Sequence, residues 1–332
     1  MICPKHATKQ LAKYRFIDLF CGIGGFRLAL EKYGAKCVFS SEWDAAAATV
    51  YEKNFNEKPH GDITKIKEKF IPKHDILCAG FPCQPFSISG KQYGFNDARG
   101  TLFFEIARIV KYHRPRVAIL ENVKNFYTHN SGKTLERVIG VLSSMQYDVY
   151  HKILNASLYG VPQKRERIFI VAIQKRAQKI GFSFPSPQAK NICLKDILED
   201  GVNEKYVVKR NDYMFTDKNS LPEYSLLKTA ELKPLRIGKC NKGGQGERIY
   251  SVNGHAITLS AYGGGAGAKT GLYLVGDKVR KLTPRECARA MGFPDSFAIH
   301  SKDNLAYKQF GNSVVVNVVE AVVESLLNHK AL

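Results

Sequence analysis

Phe16-Ile17-Asp18-Leu19-Phe20-Cys21-Gly22-Ile23-Gly24-Gly25 is the stretch that decides the fold. The apolar run reads as a short strand and the glycines as a tight turn. Phe26, Ala29, Leu30 and Tyr33 then recur on one helical face until Gly34 closes it. A second strand, Cys37-Val38-Phe39-Ser40-Ser41, ends in Glu42-Trp43. Strand, glycine turn, helix, strand and acid make a mononucleotide-binding βαβ unit, which predicts a doubly wound α/β fold with a mostly parallel sheet. Glu42 lies 20 residues beyond Gly22, near the spacing at which a carboxylate meets ribose hydroxyls. The glycines do not spell the full dinucleotide fingerprint that a pyrophosphate needs. An adenosine cofactor without phosphates does not need it. Two readings of Trp43, the single tryptophan, stand: a stack on adenine and a half-buried surface aromatic.

Further along, Asp62 in Gly61-Asp62-Ile63 is placed to accept from an adenine amino group, with Ile63 packing on the ring. The apolar run Ile76-Leu77-Cys78-Ala79 reads as a strand that empties into Gly80-Phe81-Pro82-Cys83-Gln84-Pro85. Ligands of open α/β sheets collect at the carboxyl ends of strands, so Cys83 is a candidate nucleophile. Its alternative is a core cysteine, which the flanking prolines argue against. Residues 86–100 are polar and glycine-bearing, as in a functional lid, and a helix follows from Thr101 to about Tyr112. The strand Arg116–Leu120 delivers Glu121-Asn122-Val123. A carboxylate directly after apolar residues is poorly hydrated, which raises its pKa toward proton-transfer duty; a helix cap or surface carboxylate is the competing reading. After a helix near 133–146 and a strand at 148–155, Gln163-Lys164-Arg165-Glu166-Arg167 leads into the strand Ile168–Ile173. Arginines two apart at a strand entrance project to one side.

The 332 residues carry 50 Lys plus Arg against 30 Asp plus Glu, a formal charge of +20, and nucleic acid is the polyanion such a balance fits best. Eight of those basic residues and a single acid, Glu166, fall between His151 and Lys190. The eight cysteines include no CxxC pair and no histidine pair has zinc-ligand spacing, so no metal site is expected. No uninterrupted apolar run approaches the roughly 18 residues of a membrane span, and the amino terminus lacks a signal-peptide core, so a cytoplasmic protein is expected. From Cys193 the periodicity fades and two glycine-rich loops appear, Lys242–Arg248 and Ala261–Gly267. Glycine runs admit close backbone approach, and glutamine and arginine make bidentate contacts with base edges. Thr283-Pro284 starts a helix as N-cap and first residue, and the apolar helix Val314–Leu327 closes the chain.

Taken together, these stretches resemble the ordered motif set of the cytosine-5 DNA methyltransferases. Phe20–Gly25 resembles the family's cofactor loop, Gly80–Gln84 its nucleophile loop, Glu121-Asn122-Val123 its acid motif and Gln163–Arg167 its arginine motif. Arg285-Glu286 and Gln309-Phe310-Gly311-Asn312-Ser313 resemble the two late motifs. Gly243–Ser251 and Ile257–Gly265 resemble the recognition loops of bacterial members that modify the inner cytosine of GCGC. Cys21 departs from the alanine or serine common in the cofactor loop.

The resemblance implies a Rossmann-like catalytic domain, 1–192 and 305–332, and a loop-rich target-recognition domain, 193–304. It implies S-adenosyl-L-methionine as methyl donor, with S-adenosyl-L-homocysteine as product and no metal. Cofactor contacts are expected from Phe20, Gly22, Gly24, Gly25, Glu42, Trp43, Asp62, Ile63, Gly80, Pro82, Leu102, Asn312 and Ser313. Cys83, Glu121, Arg165 and Arg167 are the expected catalytic set. DNA contacts are expected from Ser87, Ser89, Lys91, Arg99, Gln245, Arg248, Thr258, Tyr262 and Gly265, with lysines near 239–242 on phosphates. The expected partner is double-stranded DNA, bound by a monomer. A restriction endonuclease is expected as a genetic partner rather than in a stable complex, and no membrane is involved. Two rival readings are an RNA cytosine-5 methyltransferase and a non-catalytic DNA-binding regulator.

Overall fold

A computed structural model of the chain describes residues 9–82, 102–177, 181–188, 190–216 and 233–332. The chain divides into two compact units: 1–154, 166–185 and 319–332 form the first, and 155–165 with 186–318 the second. The second unit takes in 155–165, 186–192 and 305–318 besides the expected 193–304.

The first unit is built on a six-stranded sheet. Its strands are β1 (Arg15–Leu19), β2 (Lys36–Ser41), β3 (Ile76–Gly80), β4 (Val117–Val123), β5 (Tyr147–Asn155) and β6 (Glu166–Gln174), in the order β2-β1-β3-β4-β6-β5. β1 pairs parallel with β2 and β3, and β3 with β4; β6 runs antiparallel to β4. Helices α1 (Gly25–Lys32), α2 (Ala45–Phe55), α3 (Leu102–His113) and α4 (Lys133–Ser144) connect them. Alternate strand residues (Ile17 and Leu19, Leu77 and Ala79, Ala118 and Leu120) share one core with the buried faces of α3 and α4. The intervening set, Phe16, Asp18, Ile76, Cys78, Val117 and Ile119, is also fully buried. Burial on both faces is why these strands read as continuous apolar runs. On that side α1 is tied to α7 (Val316–Asn328) by Tyr33 Oη donating to Glu324 Oε1 at 2.6 Å and by Lys32 pairing with Glu320 at 2.6 Å.

The second unit holds a five-stranded sheet of short strands: β7 (Met214–Phe215), β8 (Arg236–Lys239), β9 (Arg248–Ser251), β10 (Leu272–Val275) and β11 (Lys278–Arg280), ordered β11-β10-β9-β8-β7. Ile237, Cys240, Ile249, Leu272 and Val279 form its small core. α5 (Pro284–Ala290) starts as the sequence predicts, with Thr283 as N-cap and a capping box closed by Glu286. Glu286 is fully buried and accepts both Nη atoms of the buried Arg280, at 2.7 and 2.8 Å. Removing one partner of such a pair leaves an uncompensated buried charge.

α6 (Asp303–Asn312) carries the Gln309–Asn312 motif, a helix the sequence reading leaves unassigned. The stretch 303–328 is the one helical stretch among the described residues with the length and hydropathy of a membrane span, and its most apolar window is 72% buried, as in a core helix.

Two glycines of the first turn do different work. Gly24 has φ 92, and a Cβ there would lie 2.2 Å from the ring of Phe55 on α2. That ring packs under the Arg27 guanidinium, whose Cζ is 4.6 Å from its centroid. Gly22 has φ 55 but open space around its absent Cβ. Gly24→Ala is therefore expected to destabilise the fold by about 2 kcal/mol through clash and strain together, and Gly22→Ala by about 1 kcal/mol through strain alone. Urea denaturation of the two variants checks this, and equal losses would contradict it.

Candidate active site

The carboxyl ends of β1 and β2 carry a polar cradle. Phe20 and Gly22 both take left-handed backbone conformations, each with φ 55. Glu42 bridges the turn to the next loop: Oε2 accepts the Gly22 N–H and Oε1 the Asp44 N–H, both at 2.8 Å. Burial raises the Glu42 pKa, and those backbone donors partly offset it. The carboxylate still has lone pairs for a ligand hydroxyl. Asp62 caps the turn Ile63–Lys65 through Oδ1, which accepts from Thr64 N and Oγ1 at 3.0 and 2.8 Å. Trp43 is 80% exposed, so its ring is open to a stacking partner. Ile63 is buried in the α3-side core.

Asp18 was not singled out from the sequence. It reads as an ordinary strand residue, yet it is fully buried and neither carboxylate oxygen has a hydrogen-bond partner among the described residues. Its register neighbour Ser40, and Ser41 beside it, also carry buried hydroxyls without a partner there. Burial holds the Asp18 carboxyl well above the usual range; nearby Arg27 pulls it down and Glu42 pushes it up. Unsatisfied buried groups in such a cluster call for a missing partner. The signal in the sequence was an acid inside an otherwise apolar strand.

The neighbouring strand ends carry the candidate chemistry. Gly80 closes β3 in register with Glu121, which lies inside β4 rather than after it. Glu121 is buried, and its Oε1 stands 3.3 Å from Arg167 Nε. Arg167 enters β6 opposite Val123, so the antiparallel strand brings it to the acid. Asn122, also missed as a functional residue, donates its amide to the Phe81 carbonyl at 2.9 Å. Phe81 itself is buried against the edge of Phe126. The peptide leading into Pro82 is thus pinned at Phe81. Cys83, Ser87, Ser89, Lys91 and Arg99 lie outside the described residues. Pro82 is exposed, and Leu102 is the first residue of α3.

Arg165 and Arg167, expected to serve together on one side, make different contacts. Arg165 is 2% exposed, and its Nη atoms donate to the carbonyls of Leu259, Gly311 and Ser313 at 2.8 to 3.0 Å. Those carbonyls bracket Asn312, which is exposed at the end of α6.

In the second unit the two glycine loops approach each other. Gly267 N–H donates to Gly246 O at 2.7 Å, and a Cβ on Gly246 would meet Gly264 O at 2.1 Å. Only glycine permits that backbone contact. Gln245 and Tyr262 are exposed on these loops, Tyr262 at 74%. Arg248 opens β9, with Nε 3.5 Å from Gly243 O, and Gly265 takes φ 86. Thr258 is exposed and donates Oγ1 to Lys164 O at 2.6 Å.

Comparison with known proteins is consistent with this geometry. The family model of the C-5 cytosine-specific DNA methylases matches residues 14–328. The type II methyltransferase M.HhaI of Haemophilus parahaemolyticus is 55% identical over 97% of this chain and 98% of its own length. M.DsaV of Dactylococcopsis salina, another type II methyltransferase, is 43% identical over 97% of this chain and 87% of its own. The fold matches the Dnmt2 methyltransferase of S. pombe with a TM-score of 0.72 at 21% identity, covering 95% of this chain and 98% of that one. A buried acid, a paired arginine and a glycine cradle on one sheet edge, within a chain matched almost end to end, place this protein among the C-5 cytosine-specific DNA methylases, and it is a DNA cytosine-5 methyltransferase.

Proposed function

We propose that the chain methylates the inner cytosine of GCGC in duplex DNA, as the modification half of a type II restriction-modification system, in the cytoplasm. The target reading is supported by the 55% identity with M.HhaI over 97% of this chain. The single observation that carries the chemistry is the pairing of the buried Glu121 with the half-buried Arg167 at 3.3 Å on the edge where β3 ends. N3 and O2 are adjacent atoms on one edge of cytosine, and a carboxyl beside a guanidinium matches them. A target-recognition role for 193–304, with DNA between it and the catalytic domain, belongs to the same proposal. A monomer suffices for it, with the endonuclease a genetic partner only. An RNA substrate is the less favoured reading, because the match to a type II methyltransferase spans 97% of this chain.

C5 of cytosine is a weak nucleophile. In the proposed mechanism the target base leaves the duplex, at a cost of roughly a few kcal/mol in stacking and pairing. Cys83 Sγ, as thiolate, bonds to C6 and makes C5 enamine-like. Glu121, protonated, delivers a proton to N3 as negative charge develops, and Arg167 donates to O2. S-adenosyl-L-methionine, when bound, supplies the methyl group that C5 takes. Return of the N3 proton to Glu121, loss of the C5 proton to solvent and breakage of the S–C6 bond then free Cys83 and release 5-methylcytosine. Ser89 and Gln245 fill the gap in the helix, while Arg248, Tyr262 and Gly265 read neighbouring bases. Ser87, Lys91, Arg99 and Thr258 contact the DNA around them.

The residues present fit that cofactor. Its ammonium and sulfonium charges suit a buried carboxylate without a partner, and Asp18 is one. Gly22 leaves open space where backbone must approach the ligand. Glu42 retains acceptor capacity for ribose hydroxyls, and the exposed Trp43 ring is free to cover adenine. Asp62 is placed for the adenine amino group, and Phe20, Gly80, Pro82, Asn312 and Ser313 complete the bed.

Cys83→Ser is expected to abolish methyl transfer while duplex binding persists. Bisulfite sequencing of DNA from cells expressing the parent chain should find conversion-resistant cytosine at GCGC alone. Full transfer by the serine variant would remove Cys83 from the mechanism, and methylation at other sequences would refute the target.

Asp18 gives a pH-dependent test. The raised pKa means that the folded chain holds a proton which the unfolded chain releases near pH 3.9. The stability this confers is full below that pH and falls as pH rises toward the folded value. Asp18→Asn removes the dependence. Without cofactor, its Tm should exceed that of the parent by more at pH 8 than at pH 5, while calorimetric affinity for S-adenosyl-L-methionine falls about tenfold. A variant matching the parent in both respects would take Asp18 out of the site.

A further inference from the structure

Gln163 and Arg165 grip the peptide backbone at Leu259 from both sides. Gln163 Oε1 accepts the Leu259 N–H at 3.1 Å, and Arg165 Nη1 donates to the Leu259 carbonyl at 3.0 Å. Leu259 lies three residues before Tyr262 and directly after Thr258. The remaining groups of the two side chains reach elsewhere in the same unit. Gln163 Nε2 donates to Ala290 O at 2.9 Å, and Arg165 Nη2 donates to the carbonyls on either side of Asn312, both at 2.8 Å. The main chain repeats the pattern: Ala256 N–H donates to Pro162 O at 2.7 Å and Lys164 N–H to Ala256 O at 2.9 Å. Gly311 then sits so close to the loop that a Cβ would be 2.3 Å from Ala261 N.

Gln163 is 0% exposed and Arg165 2%. A buried guanidinium aimed at carbonyls on two separate segments does not face a substrate. It fixes those segments to each other. Its planar fork can serve divergent acceptors in a way that a lysine ammonium cannot. The same short stretch continues two residues on to Arg167.

We infer that Gln163 and Arg165 are positioning residues for target selection. They set the recognition loop 256–265 and the turn 311–313 against one rigid spine that leads into Arg167. Base reading and cofactor binding are thereby coupled through backbone geometry rather than through any contact of Gln163 or Arg165 with a ligand. The inference rests on the proposed function in that it takes 256–265 to read bases and Asn312 to touch cofactor.

The test uses the full chain with Gln163→Met and Arg165→Lys. Hydrogen exchange of the 256–262 backbone should accelerate at least tenfold in each variant while the β3 and β4 backbone keeps its protection. Discrimination between the methylated sequence and the same sequence with one outer base changed should fall about tenfold. KM for DNA and KM for S-adenosyl-L-methionine should rise together, by more than kcat falls. Arg167→Lys, acting at the base itself, should instead lower kcat. Unchanged exchange, or discrimination and both KM values at parental levels, would overturn the inference. So would a loss by Arg165→Lys confined to kcat, which would put its guanidinium on the substrate. If the lysine variant fails to fold, Gln163→Met decides, since it changes no charge and keeps the volume. The sequence used for discrimination is the one that bisulfite mapping finds for the parent. A target other than GCGC therefore refutes the proposed specificity and still leaves the positioning role tested.

Discussion

Arg167 can meet Glu121 only because β6 runs antiparallel to β4. Parallel strands bring carboxyl ends to one edge of a sheet, and β1, β2, β3 and β4 do this with Phe20, Glu42, Gly80 and Glu121. An arginine at the amino end of a parallel strand would lie at the opposite edge. The reversal places Val123 against Arg167 and Glu121 against Phe169. That leaves a guanidinium 3.3 Å from the acid. The rest of the edge depends on this register. A slip of one residue in β4 would turn Glu121 to the other face of the sheet. It would also release the Asn122 amide from the Phe81 carbonyl.

The edge is costly to build. Asp18, Glu42 and Glu121 all lie at or near the ends of adjacent strands and are withdrawn from water to different degrees. Glu42 is satisfied by two backbone donors and Glu121 is paired with Arg167, while Asp18 has no hydrogen-bond partner among the described residues. The contrast separates a carboxylate that supports the loop from one that the proposed function gives to a cationic ligand. Beneath them Arg27 joins Glu31, Glu57 and Tyr51 and lies over the Phe55 ring, so the helix that follows the glycine turn is anchored by a single guanidinium. Gly24 belongs to this support, because its missing Cβ is what lets Phe55 in.

Much of the catalytic sheet was legible in the sequence because its strands are buried on both faces, so runs such as Ile76–Ala79 stand out without any periodicity. The turn at Gly22, the acid at Glu42 and the caps at Thr283 and Pro284 have local signatures that survive in one dimension. Three features do not. Asp18 looks like a strand residue until its burial is known. α6 contains Gly311 and polar residues, and its helix is stabilised by packing that no propensity records. Gln163 and Arg165 act on backbone carbonyls, which every residue has, so nothing in the partner sequence marks them. The spacing that suggested two arginines on one face was sound for a strand, but Arg165 precedes β6 and is not held to that alternation.

Eight cysteines in an enzyme that is proposed to use one as a nucleophile raise a question of selectivity, and for the six among the described residues the fold answers it by burial. Cys21, in the cofactor loop itself, is pushed well above its usual pKa, first by burial and then by the charges of Asp18 and Glu42. Burial lifts Cys78 and Cys287 in the same way, Cys37 to about 12 and Cys193 to about 11. At neutral pH these groups stay as thiols, and a thiol is neither the nucleophile nor the form that reacts with oxidants and alkylating agents. A cysteine in the glycine turn is therefore tolerated beside the proposed cofactor cradle. The carboxylates that would draw a cation into that cradle also keep Cys21 protonated. The same local field thus favours a positively charged cofactor and suppresses a competing thiolate.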